Sequence, residues 1–287
     1  MKALNFILIL LCSTVLAAQI EIPVASPFSK VEQDVGFTKI TVAYSRPGAK
    51  GRKIFGSLVP YGRIWRVGAN ESTKFTVDSD ISVMGNYLPK GTYALYAFPY
   101  EEYWEVVFHK NTEHWGDGRK AYDPAEDAFR IRINPVNNSD YQENFLITFD
   151  EIDHNSSNML WIWEHTLIKI PIAVDTDSKM MEGIAKGIKE NPTAQTYYEA
   201  ARYLQEQGKL YSRALLYLNK AIEIGGDTYY FYRVKSLVEA ALEDYKSAII
   251  SAQKSLELAQ KEDKDEFVRM NEQNISLWKD KQITTKQ

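Results

Sequence analysis

A basic, glycine-rich segment near the start of the chain carries the side chains that could do chemistry. Between Lys39 and Asn70 the sequence holds seven basic residues and no acidic one. Guanidinium groups pair with carboxylate or phosphate through two parallel hydrogen bonds, and aromatic rings offer a flat wall to a sugar. The segment therefore predicts a cationic, aromatic-lined cleft for an anionic or carbohydrate ligand. The candidate ligand-binding residues are Tyr44, Arg46, Lys50, Arg52, Trp65, Arg66, Asn70, Glu71, His109 and Trp115.

Four of these candidates are cationic and would bind the anionic group, namely Arg46, Lys50, Arg52 and Arg66. The aromatic candidates Tyr44, Trp65 and Trp115 would supply the stacking wall, while Asn70 and Glu71 would orient hydroxyl groups. A structural interpretation stays open beside this one. In that interpretation the arginines satisfy backbone carbonyls or pair with a carboxylate, and the tryptophans are core residues.

Four short motifs in the same segment carry a resemblance to a known family. They are YSRP at residues 44–47, KGRxIFG at 50–56, LVPYG at 58–62 and WRxGANE at 65–71. With them, the chain resembles the domain of unknown function 2911 family, found in exported bacterial proteins, over roughly residues 20–174. The resemblance implies membership of that fold family and carries no activity with it.

The first 18 residues are typical of an export signal. One lysine precedes an apolar run from Phe6 to Leu11, and small residues follow as far as Ala18. The run is shorter than the roughly 20 apolar residues that cross a bilayer, so we expect a periplasmic or secreted protein with no transmembrane segment. Cys12, the only cysteine, lies in this leader, and no disulfide can form in the rest of the chain.

Composition favours two packed domains and argues against a nucleic-acid partner. Of the 287 residues, 45% are hydrophobic and 25% are charged, which is enough apolar material for a core and excludes disorder. The net charge is −4, whereas duplex-binding proteins usually present a net basic surface. We therefore expect no nucleic acid among the partners.

Residues 20–175 show the two-residue periodicity of half-buried strands. In one such strand, Trp104, Val106 and Phe108 share one face, and the residues between them, together with His109, lie on the other. About nine or ten such strands predict an all-β sandwich or barrel-like domain. Turn residues around Asn155 and again at 164–166 predict that the last three strands form a meander.

From residue 178 to 282 the periodicity becomes helical, so the fold class is α+β with an all-α second domain. Residues recur at a separation of 34, as in Tyr211 with Tyr245 and Ala214 with Ala248. This spacing resembles that of tetratricopeptide repeats, whose helical hairpins stack side by side. Two units, at roughly 193–260, would be completed by flanking helices, and such a stack is expected to hold a protein or peptide partner.

Familiar catalytic and metal-binding motifs are missing from the sequence. No nucleophile elbow, P-loop or dinucleotide fingerprint is present. His109 and His114 with Asp117 or Asp123 come nearest to a metal set, but five-residue spacing across a loop is not a recognised signature. We therefore predict no metal and no cofactor.

Two functions remain open from the sequence. The first is an exported cell-envelope binding or scaffolding protein, with the cleft in the β domain and a protein-docking helical stack. The alternative is a hydrolase-like enzyme that acts on an anionic or carbohydrate substrate in the same cleft, with Glu71 or His109 as acid or base.

Overall fold

The computed structural model describes residues 22–116 and 119–284, and it divides the chain into two compact units between Asp175 and Thr176. The first unit is built from β-strands and the second from helices, which confirms the predicted α+β class with two domains. The predicted leader, residues 1–18, and Asp117 lie outside the described residues. Among the described residues, no helix combines the length and the apolar character needed to cross a membrane.

The described residues of the first unit form ten antiparallel strands in two sheets. In chain order they are β1 Phe28–Val35, β2 Thr38–Ser45, β3 Thr73–Val77, β4 Ile81–Val83, β5 Asn86–Leu88, β6 Gly91–Pro99, β7 Trp104–His109, β8 Asp127–Ile133, β9 Val136–Asp150 and β10 Ser156–Val174. One sheet has the order β1-β2-β3-β6-β7-β8 and the other the order β5-β4-β10-β9. Their facing apolar side chains merge into a single core, so the unit is a sandwich.

The alternation predicted for β7 is present. Trp104, Val106 and Phe108 point into the core, while Glu105 and His109 lie on the outer face of the six-stranded sheet. The pairing register sets Lys74, Ala94, His109 and Asp127 side by side in one row across four strands. Residues far apart in sequence thus meet on this outer face.

The predicted turn at residues 164–166 is wrong. β10 runs through these positions as one strand, and its pairing with β9 shifts register on either side of Glu164. Glu164 has a φ of 51°, so a β-bulge replaces the expected hairpin. Its carboxylate Oε2 accepts a hydrogen bond from the backbone N–H of Ile54 at 3.1 Å, which ties the bulge to the basic segment.

The described residues of the second unit, 176–284, form six helices. They are α1 Thr176–Glu190, α2 Ala194–Glu206, α3 Tyr211–Glu223, α4 Tyr229–Ala241, α5 Tyr245–Lys261 and α6 Asp265–Thr284. Hydroxyl or carboxylate N-caps begin three of them, with Thr193 accepting from Thr196 N, Thr228 from Phe231 N and Asp244 from Ser247 N. The helices pack in sequence around small buried side chains such as Ala214, Ala221 and Ala248.

A buried carboxylate in α4 makes the stability of this unit depend on pH. Glu239 is 5% exposed, its Oε2 has no hydrogen-bond partner among the described residues, and burial raises the pKa of its carboxyl group. The folded state therefore holds this proton more tightly than the unfolded state does. The stability that the protonated form contributes is present at acidic pH and is lost as the pH rises through the raised pKa.

We therefore expect Glu239→Gln to raise the free energy of unfolding at pH 7 and to have less effect near pH 4. Urea titrations at both pH values measure the difference, and Glu182→Gln, an exposed glutamate in α1, is the matched control. A gain that is equal at the two pH values would contradict the assignment.

Candidate functional site

One cleft in the sandwich gathers most of the predicted cations. We call it the cationic cleft. It has a volume of about 390 Å³ and is lined by Lys50, Arg52, Arg66 and Arg119 together with apolar residues that include Trp65 and Trp163. No histidine or carboxylate is among its described lining residues. The predicted residues Lys50, Arg52, Trp65 and Arg66 are thus brought together, and Arg119, which was not among the predicted residues, joins them.

Hydrogen bonds position two of the cleft residues, Arg52 and Lys50. Arg52 donates from Nε to the carbonyl of Ala49 at 2.9 Å and from Nη2 to the carbonyl of Gly48 at 2.8 Å. Lys50 has a φ of 50°, and its backbone N–H donates to Glu143 Oε1 at 2.8 Å. Carbonyl acceptors orient a guanidinium group without cancelling its charge, so Arg52 remains a cation at the cleft wall.

The basic segment follows a fixed irregular path because its apolar residues reach the core. Ile54, Val59 and Trp65 are buried, and Trp65 exchanges two backbone hydrogen bonds of 2.8 Å with Ala97 of β6. Gly68 has a φ of 144°, and a Cβ there would lie 2.9 Å from the carbonyl oxygen of Ser45. Only glycine fits this close approach, so the motif around it has a steric basis.

Trp65 is a core residue that also reaches the cleft wall. It is 7% exposed and contacts Phe55, Trp104, Phe145 and Trp163, with ring centroids 5.1–6.0 Å apart. Its Nε1 donates to the carbonyl of Gly68 at 3.2 Å. For Trp65 the structural interpretation therefore holds, and only part of the ring is available to a ligand.

Tyr44 and Arg46 lie away from the cationic cleft and contact β9. Tyr44 is 3% exposed, and its hydroxyl accepts from Ile147 N at 2.9 Å and donates to Ile147 O at 3.3 Å. Arg46 donates from Nε to the carbonyl of Phe145 at 3.0 Å and lines a smaller hollow beside Phe28. These two side chains tie β2 to β9, as the structural interpretation expected for an arginine bonded to a backbone carbonyl.

A second cleft, of about 490 Å³, contains Asn70 and Glu71, the two candidates expected to orient hydroxyl groups. Its lining includes Tyr44, Asn70, Glu71, Lys74 and Trp115. Glu71 and Trp115 form an isolated β-bridge, and Asn70 Nδ2 donates to Ser45 Oγ at 3.0 Å. Trp115 is 72% exposed, so a ligand in this cleft could stack on it.

His109 lies apart from both clefts, in a polar network on the outer face of the six-stranded sheet. It is fully buried, and its Nδ1 is 2.9 Å from Asp127 Oδ1. Both carboxylate oxygens of Asp127 accept from the Tyr122 hydroxyl at 2.8 Å, and Oδ2 also accepts from Arg130 Nε at 2.8 Å. Asp127 is thus saturated with donors and fixes the orientation of the imidazole ring.

The other ring nitrogen of His109 faces a second carboxylate. His109 Nε2 is 3.4 Å from Glu126 Oε2 and makes no hydrogen bond to any described residue. One donor atom each from His109, His114 and Glu126 lie within 4.8 Å of one another, and we call these three residues the histidine cluster. Asp123, which the sequence paired with these histidines, instead caps the short 3₁₀ helix Pro124–Glu126 through Ala125 N.

Burial shifts the pKa values of groups around this network. Burial lowers the pKa of Lys74, against the opposing charge of Glu71, and the Lys74 ammonium donates to Ser72 Oγ and to the carbonyl of Thr112. Burial also raises the pKa of Tyr96, whose hydroxyl is 3.3 Å from His114 Nδ1. Burial and the Asp127 carboxylate raise the pKa of Tyr122, so it stays a neutral donor at physiological pH.

Sequence reasoning placed His114 beside His109 but missed Glu126, Asp127 and Tyr122 as partners of His109. Asp127 begins the strand beside β7, so the placement of His109 on an outer face was the available signal for a partner across the sheet. Glu126 and His114 come from a loop whose path has no periodic pattern to reveal it.

Residues 26–172 match the family model described as a protein of unknown function (DUF2911). The matched region is just over half of the 287 residues. The chain belongs to this family. The DUF2911 match ends two residues before the end of β10, so it covers the sandwich and stops short of the helices. The histidine cluster and the four cations of the cationic cleft all lie within the DUF2911 region. No curated protein matches the sequence.

Proposed function

We propose that this protein is an exported binding protein that holds a small ligand with an anionic group in the cationic cleft. The observation that carries the proposal is that four cations line one cleft with no carboxylate among the described lining residues. Like charges gathered in a concave, partly apolar surface raise the local potential and attract an anion. The apolar wall beside them would cover the uncharged part of the ligand, such as a sugar ring.

The hydrolase-like alternative finds less support in the geometry. Glu71 lines the second cleft, and His109 is buried in a separate network, so neither stands beside the cations of the cationic cleft. An acid or base must lie within hydrogen-bond reach of the proton that it transfers. A binding role is therefore the better account of this cleft.

We also propose that the helical unit docks a protein or peptide as a tetratricopeptide-like stack. Helices α3 and α5 begin 34 residues apart, at Tyr211 and Tyr245. Gly208 and Glu243, which directly follow the C-caps of α2 and α4, both have a φ of 64°. The predicted leader supports export to the cell envelope, where such a stack would join the ligand-binding domain to a partner.

Anion binding can be tested with two matched double variants. Lys50→Ala/Arg119→Ala removes two cations that line the cleft, and Lys53→Ala/Arg63→Ala removes two exposed cations of the same segment that lie outside it. Isothermal titration with inorganic phosphate and with glucuronate measures affinity. We expect the first variant to bind at least about tenfold more weakly than the unmodified protein, since losing even one charge-assisted contact costs about 1.5–3 kcal/mol.

The second variant should bind as the unmodified protein does, and affinity should fall as the salt concentration rises. Equal losses in the two variants would show that net charge alone attracts the anion. The proposal would then fail, as it would if neither probe bound to the unmodified protein.

A further inference from the structure

A ring nitrogen of the buried His109 side chain faces a carboxylate oxygen of Glu126. Asp127 accepts from Nδ1, which leaves Nε2 as the lone-pair nitrogen of the neutral ring. That nitrogen is buried and has no hydrogen-bond partner among the described residues, and a carboxylate oxygen of Glu126 lies 3.4 Å away. Two lone pairs at this separation repel each other unless a cation lies between them.

The spacing of these atoms suits a metal ion. Zinc binds nitrogen at about 2.0–2.1 Å and carboxylate oxygen at about 2.0–2.2 Å, so two ligands of one tetrahedral zinc lie about 3.4 Å apart. His109 and Glu126 already have this separation. A donor atom of His114 lies within 4.8 Å of the other two, so a shift of no more than about 1.5 Å would complete the set.

The residues around the cluster provide the support that metal ligands usually have. Asp127 binds the far nitrogen of His109, the carboxylate–histidine–metal arrangement that fixes the ring and strengthens it as a ligand. Asn111 Nδ2 lies 3.2 Å from Glu126 Oε2 and donates to it. The Glu126 side chain is 41% exposed, so an ion could enter from solvent on that side.

From these contacts we infer that His109, His114 and Glu126 form a binding site for a divalent transition-metal ion of the zinc type. Two imidazoles and one carboxylate leave one position of a tetrahedron open, which is the arrangement of zinc sites that bind water or a ligand. The inference is independent of anion binding in the cationic cleft.

A competing explanation is a proton. An imidazolium form of His109 would donate to Asp127 and Glu126 at once and would need no metal. The two explanations make opposite predictions for added metal, because only the metal site requires His114.

The test uses the whole protein, without a histidine tag, after treatment with EDTA and dialysis. ZnCl₂ is titrated by calorimetry, and CoCl₂ serves as an optical probe because tetrahedral cobalt absorbs strongly in the visible range. We expect one zinc per chain. Loss of a direct ligand should exceed the 10- to 100-fold effect of an outer-shell change, so His114→Ala and Glu126→Gln should each weaken zinc binding by about 100-fold or more.

His154→Ala, an exposed histidine elsewhere in the sandwich, is the matched control and should bind zinc normally. Asn111→Ala should weaken binding by about tenfold through the orientation of Glu126. Melting curves of each metal-free variant establish that it is folded. Failure of the unmodified protein to bind zinc, or unchanged affinity in both ligand variants, would overturn the metal site in favour of the imidazolium.

Discussion

Trp65→Ala should lower the free energy of unfolding of the sandwich by about 3–5 kcal/mol, the range for removing a large aromatic side chain from a core. The reason is the position of Trp65 between the sheets. Its ring contacts Trp104 of the six-stranded sheet and Phe145 and Trp163 of the four-stranded sheet. The substitution would remove contacts to both sheets and leave a cavity at their junction.

Urea unfolding monitored by circular dichroism measures this loss, and Trp115→Ala is the matched control. Trp115 is 72% exposed, so its removal should change stability by less than about 0.5 kcal/mol. Similar losses in the two variants would show that Trp65 does not join the sheets. The comparison also distinguishes a core tryptophan from an exposed one, although the sequence predicted the same stacking role for both.

Asp127→Ala should cost about 3 kcal/mol of stability. The carboxylate accepts from Tyr122, Arg130 and His109, and its side chain is 9% exposed. Its loss would leave these donors without their acceptor, which costs about 3–5 kcal/mol for a fully buried ion pair. We expect the lower end of this range because the Arg130 side chain is 35% exposed and keeps contact with water.

Asp140→Ala, at an exposed position of β9, is the control and should be nearly neutral. Asp127→Asn keeps the volume of the side chain and should recover part of the loss. A neutral effect of Asp127→Ala would mean that the network around His109 is held by the sheet alone. Melting temperatures of the three variants decide between these outcomes.

Periodicity was sufficient to predict the two units and the faces of β7, because a half-buried strand must alternate between core and solvent. The same reasoning failed at Glu164. Before it the buried residues of β10 are odd-numbered, as at Trp161 and Trp163, and after it they are even-numbered, as at Ile168 and Ile170. A hairpin and a β-bulge both produce this change, and the local sequence does not distinguish them.

The sequence predicted that a cationic cleft exists more reliably than it predicted which residues form it. A run of cations without acids implied a charged concave surface, and Lys50, Arg52 and Arg66 do share one. The sequence could not separate Arg46, whose guanidinium reaches the Phe145 carbonyl from 99 residues away. The sequence also could not predict the contact between Glu126 and His109, because that contact depends on the path of an irregular loop and on the sheet register.

The bulge at Glu164 also sets a limit on how the length of this chain can change. The buried positions of β10 change from odd- to even-numbered residues across this irregularity, so the residues from Thr166 to Val174 owe their inward or outward direction to it. Deleting a single residue there would turn Ile168, Ile170 and Ile172 toward water and bring their polar neighbours inward. Insertions and deletions during evolution should therefore accumulate in the hairpin tips and spare this strand.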